Sequence, residues 1–392
     1  MPRLFAFLLA CAFSGALLSS ACAGKREAGA QEQQSPAGQS KTGEPARADA
    51  QATTAAAKTN SAAKTFRGEI DGRYKVQMRL ARTASTLAGS YFYENVKTEI
   101  RLDGSIDERG NFTLEERDAS GKPTGLFKGR WSMDEQGRLV ELKGDWSKPG
   151  GRALSFYLSE MPVAFAKRAL RVLTNDIREE NKKRRFSIEV EYPQLEGSTE
   201  ASVARFNAES KAFAEREVAR FKQNLEESDD GGRPPEMGDD LGIGYTLGAA
   251  NDRVVSVQFS IGTYYAGAAH PNHNTAVINF DLDSGRTLAL ADLFNSSSDY
   301  LRVLSDYCIA DLKRQAARQG ADSMLTDEGI EQGAAAETES FHSWLLTRDG
   351  LEITFDPYEV APYAAGSQSV LIPYDVLKQI LKPDGVVASL MR

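Results

Sequence analysis

The three histidines of this 392-residue chain lie at positions 270, 273 and 342. A His270-x-x-His273 pair on a loop, completed by His342 or a carboxylate, is the one constellation whose donor types suit zinc. Its spacing is not the i, i+4 of a helical His-Glu-x-x-His motif, no cysteine supports it, and the intervening Pro271-Asn272 reads as a rigid turn. No metal and no cofactor are therefore expected, and His270 is expected as a hydrogen-bonded structural residue. Nucleophilic chemistry has less support still. There is no Gly-x-Ser-x-Gly elbow, and Cys308 falls among Leu301, Leu304 and Leu312 at helical spacing, the pattern of a buried apolar thiol. The carboxylate pairs Asp281/Asp283 and Asp349/Asp356 carry little weight, because any acidic chain offers such pairs. No catalytic residue is expected.

What remains is recognition. Two aromatic segments punctuated by Gly and Pro run from Tyr264 to His273 and from Phe355 to Tyr374. Loops carry binding residues when a rigid scaffold holds them, and stiff aromatic side chains supply contact area at little entropic cost. Tyr264, Tyr265, His270, Asn272, Asp356, Tyr358 and Tyr363 are the candidate ligand-binding residues, with Pro357 and Pro362 stiffening the second loop. Such rings stack on pyranose faces or anchor a protein ligand. The alternative for any one tyrosine is a strand-terminating turn with its hydroxyl bonded inside the fold. A formal net charge of −8 argues against nucleic acid, whose phosphates require clustered Lys and Arg, and favours a basic partner.

These loops need a scaffold, and the hydrophobic pattern describes one in two parts. Between 65 and 161 apolar residues alternate in short runs, such as Tyr74, Val76, Met78 and Leu80, separated by turn signals such as Asp71-Gly72 and Pro149-Gly150-Gly151. Glycines recur two residues before a large side chain, at Gly89/Tyr91, Gly104/Ile106, Gly125/Phe127, Gly129/Trp131 and Gly144/Trp146, as a curled meander with close backbone approaches requires. The expectation is an antiparallel β meander or small barrel, in which Tyr91, Tyr93, Trp131 and Trp146 are either core or a sugar-stacking face. Residues 162–185 read as a solvated connector, helical over 164–177. From 186 to 392 strands and helices mix: an opening strand at Phe186–Tyr192, a helix over 201–226 with Val203, Phe206, Phe213, Val218, Phe221 and Leu225 on one stripe, and strands at 244–249, 253–263, 275–283 and 286–290. A helix over 299–318 capped by Ser298 or Asp299, strands at 344–348, 351–355 and 369–372, and a terminal helix over 374–381 complete it. The fold class is α+β, with helices on an antiparallel sheet.

The amino terminus sets the compartment. Arg3 precedes an apolar stretch, Leu4 to Leu18, too short to span a bilayer, followed by Ser19-Ser20-Ala21-Cys22. This order resembles a bacterial lipoprotein signal over residues 1–21, in which Cys22 would become the lipidated first residue of the mature chain; cleavage by an ordinary signal peptidase is the alternative. The expected location is the cell envelope, on the outer membrane facing the periplasm in a Gram-negative cell. Residues 22–64 contain almost no large apolar side chain and read as a disordered tether with a reach of roughly 35 Å. With Cys11 removed and Cys22 acylated, Cys308 has no disulfide partner.

Within the second part, Phe186–Tyr192, the run Tyr264-Tyr265-Ala266-Gly267-Ala268-Ala269-His270-Pro271, the turn Asp281-Leu282-Asp283-Ser284-Gly285 leading into Leu288–Phe294, and the run from Phe355 to Gly366 together resemble the RsiV-like family. These are extracytoplasmic domains of unknown function, found as the ectodomain of a lysozyme-sensing anti-sigma factor and beside a peptidoglycan deacetylase. The resemblance implies an envelope domain that binds a cell-wall glycan or a lysozyme-like protein, and it covers 186–390. Neither deacetylation nor signalling by regulated proteolysis is expected of it. The leading expectation is a lipid-anchored envelope protein recognising peptidoglycan fragments or a wall-active protein. The alternatives are an acidic protein that binds or inhibits lysozyme in defence, and an unrecognised cell-wall hydrolase or amidase.

Overall fold

A computed structural model of the protein describes residues 63–134, 137–227 and 238–391. The proposed signal peptide, Cys22 and nearly all of the proposed tether lie outside the described residues. None of the described helices is long and apolar enough to cross a membrane.

The alternating segment closes on itself. Strands β1 (Lys64–Ile70), β2 (Tyr74–Arg82), β3 (Thr86–Tyr93), β4 (Ile100–Ile106), β5 (Asn111–Arg117), β6 (Pro123–Met133), β7 (Val140–Ser147) and β8 (Leu154–Met161) pair in sequence order. The pairing of β1 with β8, from Thr65↔Met161 to Ile70↔Phe156, makes an antiparallel barrel without free edges. Its interior is packed with Phe66, Tyr91, Phe127, Leu142 and Leu158, all almost fully buried. The strand glycines are there for the reason their spacing indicated. A Cβ on Gly89 would stand 1.8 Å from the Arg79 carbonyl oxygen, and one on Gly104 1.8 Å from that of Thr113. Tyr91 and Trp146 are core, and both donate to the buried Glu116 carboxylate at 2.7 and 3.0 Å. Trp131 is half-buried against the Phe66 edge. Side chains therefore fill the barrel, and the sugar-stacking alternative for its interior falls.

Residues 162–185 differ from expectation. They hold β9 (Val163–Ala164) and β10 (Arg171–Asn181), and no helix forms over 164–177. Strand β10 pairs residue for residue with β11 (Phe186–Glu196), Val172 and Leu173 facing inward while Asp176, Arg178 and Glu180 face solvent or its margin. It is an edge strand whose charges blunt an otherwise sticky edge.

After β11, helix α1 (Ala201–Glu227) crosses over to β12 (Asp239–Asn251), which runs parallel to β11 over Phe186–Val190. The remaining pairs, β12 with β13 (Val254–Tyr264), β13 with β14 (Asn272–Asp281) and β14 with β15 (Arg286–Thr287), are antiparallel. The sheet is thus antiparallel except where the α1 crossover and short β9 meet β12. The stripe Val203, Phe206, Phe213, Phe221 and Leu225 of α1 covers one face of the sheet. Against the other face lie α2 (Tyr300–Gln319), α3 (Asp327–Gly333) and a three-stranded sheet of β16 (Trp344–Leu346), β17 (Gly350–Phe355) and β18 (Gln368–Pro373), with the short α4 (Tyr374–Leu377) beyond. Asp299 caps α2 by accepting from the Arg302 amide, and Cys308 is fully buried within its apolar stripe. The two sheets meet through polar groups that are all satisfied. Ser256 donates to Asn279, the Asn279 side chain donates to the Trp344 carbonyl at 2.9 Å, and the Leu346 amide donates to Ser256 at 2.8 Å.

Barrel and sheet share a charged seam. Arg67 of β1 donates to Glu94 and to Glu191 of β11, both at 3.1 Å, and stacks over the Tyr245 ring, while Lys75 also pairs with Glu191. Burial pushes the Glu191 carboxyl up, but Arg67 and Lys75 outweigh it and hold its pKa below the usual range. At the barrel's other end Glu160, almost fully buried, accepts from Lys64 at 2.6 Å and from Arg348 at 2.9 Å.

Candidate functional site

The β17–β18 connection, residues 356–367, closes on the pair Phe355↔Gln368 and projects as a loop stiffened by Pro357 and Pro362. Its root is pinned to the large sheet. Strand β15 covers only Phe280 and Asp281 of β14, so the earlier outer edge of β14 is open. Asp356 closes part of that edge, accepting from the Thr275 amide at 2.8 Å and its hydroxyl at 2.9 Å. Asp356 is therefore 7% exposed and serves as an anchor. With its proton on Asp356, the Thr275 hydroxyl oxygen accepts from the Ser343 hydroxyl at 2.7 Å.

Above this root the loop presents rings. Tyr363 stacks on His270 with ring centroids 3.9 Å apart and planes at 26°, and lies 6.3 Å from the His273 ring at 24°. Its hydroxyl donates to the Pro271 carbonyl. Tyr358 stands 5.7 Å from Tyr363, its hydroxyl 3.5 Å from His270 Nε2. The His270 Nδ1 lies 2.9 Å from the Pro271 carbonyl, which can only accept, so Nδ1 donates there and Nε2 faces the Tyr358 hydroxyl. Tyr358 is 67% exposed and holds φ at +77°, a left-handed conformation unfavourable for a side chain of this size. Its amide donates to the Ala361 carbonyl across the turn, which fixes that conformation. Strain of this kind, roughly 1–3 kcal/mol, persists where surrounding structure imposes it and clusters at ligand-binding positions.

A second group sits on the same loop. The donor atoms of His342, Asp356 and Glu359 all lie within 4.8 Å of one another. His342 Nε2 is 2.7 Å from Glu359 Oε1, while Glu359 Oε2 accepts from the Asp356 amide at 2.7 Å. The Glu359 hydrogen bond raises the His342 pKa against its partial burial, with the charges of Glu359 and Asp356 adding to the rise.

The sequence candidates thus separate into groups. His270, Tyr358 and Tyr363 come together, and His273, considered only as a metal ligand, joins them as a ring. Tyr265 turns away: it stacks on Phe221 of α1 at 5.6 Å and its hydroxyl accepts from Asn224 at 2.8 Å, a packing role. Tyr264 is half-buried at the end of β13, and Asn272 is exposed where β14 begins, opposite Thr263. Glu359 was not singled out from sequence, and the only local signal was its i+3 spacing from Asp356 in a turn. His342 joins these carboxylates and not the His270-x-x-His273 pair.

A mixed sheet flanked by helices, with a filled eight-stranded barrel ahead of it, defines the fold class as α+β. Residues 291–375 match the family profile of a protein of unknown function, DUF3298, so the chain carries a DUF3298 domain and the family resemblance in its sequence holds. The matched span contains His342, Asp356, Tyr358, Glu359 and Tyr363, while His270 and His273 lie before it. Peptidoglycan-N-acetylmuramic acid deacetylase PdaC of Bacillus subtilis is 28% identical over 198 residues, covering 50% of this chain and 39% of the deacetylase. Immunogenic protein MPT64 of Mycobacterium tuberculosis is 24% identical over 116 residues, covering 30% of this chain and 47% of that protein. The chain thus spans less than half the length of these curated relatives. A DUF3298 family crystal structure from Bacteroides fragilis aligns with 57% of this chain and 98% of its own at 18% identity and a TM-score of 0.38. One from Pseudomonas aeruginosa covers 55% and 94% at 16% identity and 0.36.

Proposed function

We propose that this is a cell-envelope binding protein, lipid-anchored through Cys22, whose His270, Tyr358 and Tyr363 rings grip a peptidoglycan fragment. The observation that carries the reading is the exposed Tyr358, held at φ +77° beside the stacked His270–Tyr363 pair. An apolar ring kept in solvent by a strained turn gains nothing for the core, and it suits the hydrophobic face of a sugar. The relation to a peptidoglycan deacetylase supports the wall as the setting and an extracytoplasmic location. The lipoprotein-like order ending at Cys22 supports the anchor.

A net charge of −8 favours a second reading, capture of a basic lysozyme-like protein. The full chain, mixed with purified sacculi and with lysozyme at low and high salt, separates the two. Sacculus binding that survives salt and falls on Tyr358→Ala supports the glycan reading. Salt-sensitive lysozyme binding with no retention on sacculi supports the other.

A further inference from the structure

We infer that His342, Asp356 and Glu359 form a binding site for a divalent transition-metal ion, which goes beyond the glycan reading and does not depend on it. The sequence predicts no metal, because the His270-x-x-His273 pair lacks helical spacing and cysteine support and reads as a rigid turn. The structure assembles a different set, one imidazole nitrogen and two carboxylates with donor atoms within 4.8 Å of one another. That mixture of nitrogen and oxygen donors suits zinc and its neighbours, and three protein ligands leave positions open for water or an incoming group.

Three features argue for a built site over a chance cluster. The first is charge: among the described residues no Lys or Arg forms an ion pair with Asp356 or Glu359, so His342 alone faces two adjacent carboxylates. Carboxylates this close repel unless a cation lies between them. The second is support. Asp356 is locked by the Thr275 amide and hydroxyl, and Glu359 by the Asp356 amide, the outer bonds that orient metal-binding carboxylates. The third is access. Asp356 forms a buried floor, Glu359 is half-buried and His342 is exposed, so the site opens to solvent on one side. Zinc bonds near 2.0–2.2 Å place tetrahedral donors about 3.3 Å apart. Donors at that spacing would replace the 2.7 Å His342–Glu359 hydrogen bond, with the exposed His342 side chain making the adjustment while Asp356 and Glu359 keep their outer bonds.

The test is zinc chloride titrated into the purified, chelator-treated full chain, in competition with a chromophoric chelator. One zinc ion per chain is expected, with affinity weakened at least about tenfold in His342→Ala and in Glu359→Gln, since even outer-shell changes cost that much. The double variant His270→Ala/His273→Ala should bind zinc as the parent does. No zinc binding by the parent, unchanged affinity in His342→Ala, or loss in the His270/His273 variant would each overturn the assignment. If a variant fails to fold, Co2+ added to the parent must broaden the ring proton signals of His342 before those of His270 and His273, and the reverse order rejects the site.

Discussion

Replacing Tyr358 separates binding from folding, because its side chain is mostly in solvent while its backbone is strained. A left-handed φ costs an L-residue roughly 1–2 kcal/mol, which glycine avoids. Glycine returns about 0.5–1 kcal/mol of that through the extra freedom of its unfolded chain. The ring itself packs loosely: a tilted approach to Tyr363 at 5.7 Å and a long hydrogen bond to His270 at 3.5 Å are together worth about 0.5 kcal/mol at an exposed position. Tyr358→Gly should therefore lie within about 1 kcal/mol of the parent. Tyr358→Ala keeps the strain, forgoes the same ring packing, and should melt about 2–4 °C below the glycine variant for a gap near 1 kcal/mol. Both should lose binding of a soluble peptidoglycan fragment by about 30-fold, the effect of removing a 2 kcal/mol aromatic anchor. Calorimetry for melting and for binding on the same three samples makes the comparison. A Tm fall above about 10 °C in both variants, with affinity within about threefold of the parent, would refute the argument and make Tyr358 a structural residue.

Other consequences follow from the seam and the core. Arg67→Met should destabilise the chain by about 3 kcal/mol, the lower end for breaking a desolvated ion pair, because Lys75 remains on Glu191; thermal melting measures it. The Glu191 pKa is held below its unfolded value, so its contribution is complete above about pH 4.3 and is lost as pH falls through the folded value. Glu191→Gln should accordingly flatten the acid limb of a Tm against pH profile, and an unchanged slope would contradict the pairing. Burial pushes the Cys308 thiol up to about 12, so it should resist a thiol reagent at pH 8 until denaturant is added.

Much of the fold was legible because its periodicities are local. The barrel strands showed themselves by two-residue alternation and by glycines at Gly89 and Gly104 where a neighbouring carbonyl leaves no room for a Cβ. Helices α1 and α2 lie within a few residues of their apolar stripes and the Asp299 cap. Strand β10 departs from the expected connector because its outward Asp176, Arg178 and Glu180 read as a solvated charge run, and only pairing with β11 defines it. The site was half legible for the same reason. Tyr358 and Tyr363 lie in one motif, but the turn of Tyr265 onto Phe221 depends on α1, forty-odd residues earlier. The meeting of His342 with Glu359 depends on β16 and β17 pairing beneath the loop. A single sequence records such residues without recording their separation in space.

The most direct test of the ring platform is NMR of the full chain titrated with a soluble peptidoglycan fragment, following assigned aromatic protons. The ring signals of His270, Tyr358 and Tyr363 should shift together on one saturable curve, while those of barrel Tyr91 and of Tyr265 stay in place. Shifts confined to the barrel, or none at concentrations where the fragment is retained by the protein, would contradict the account.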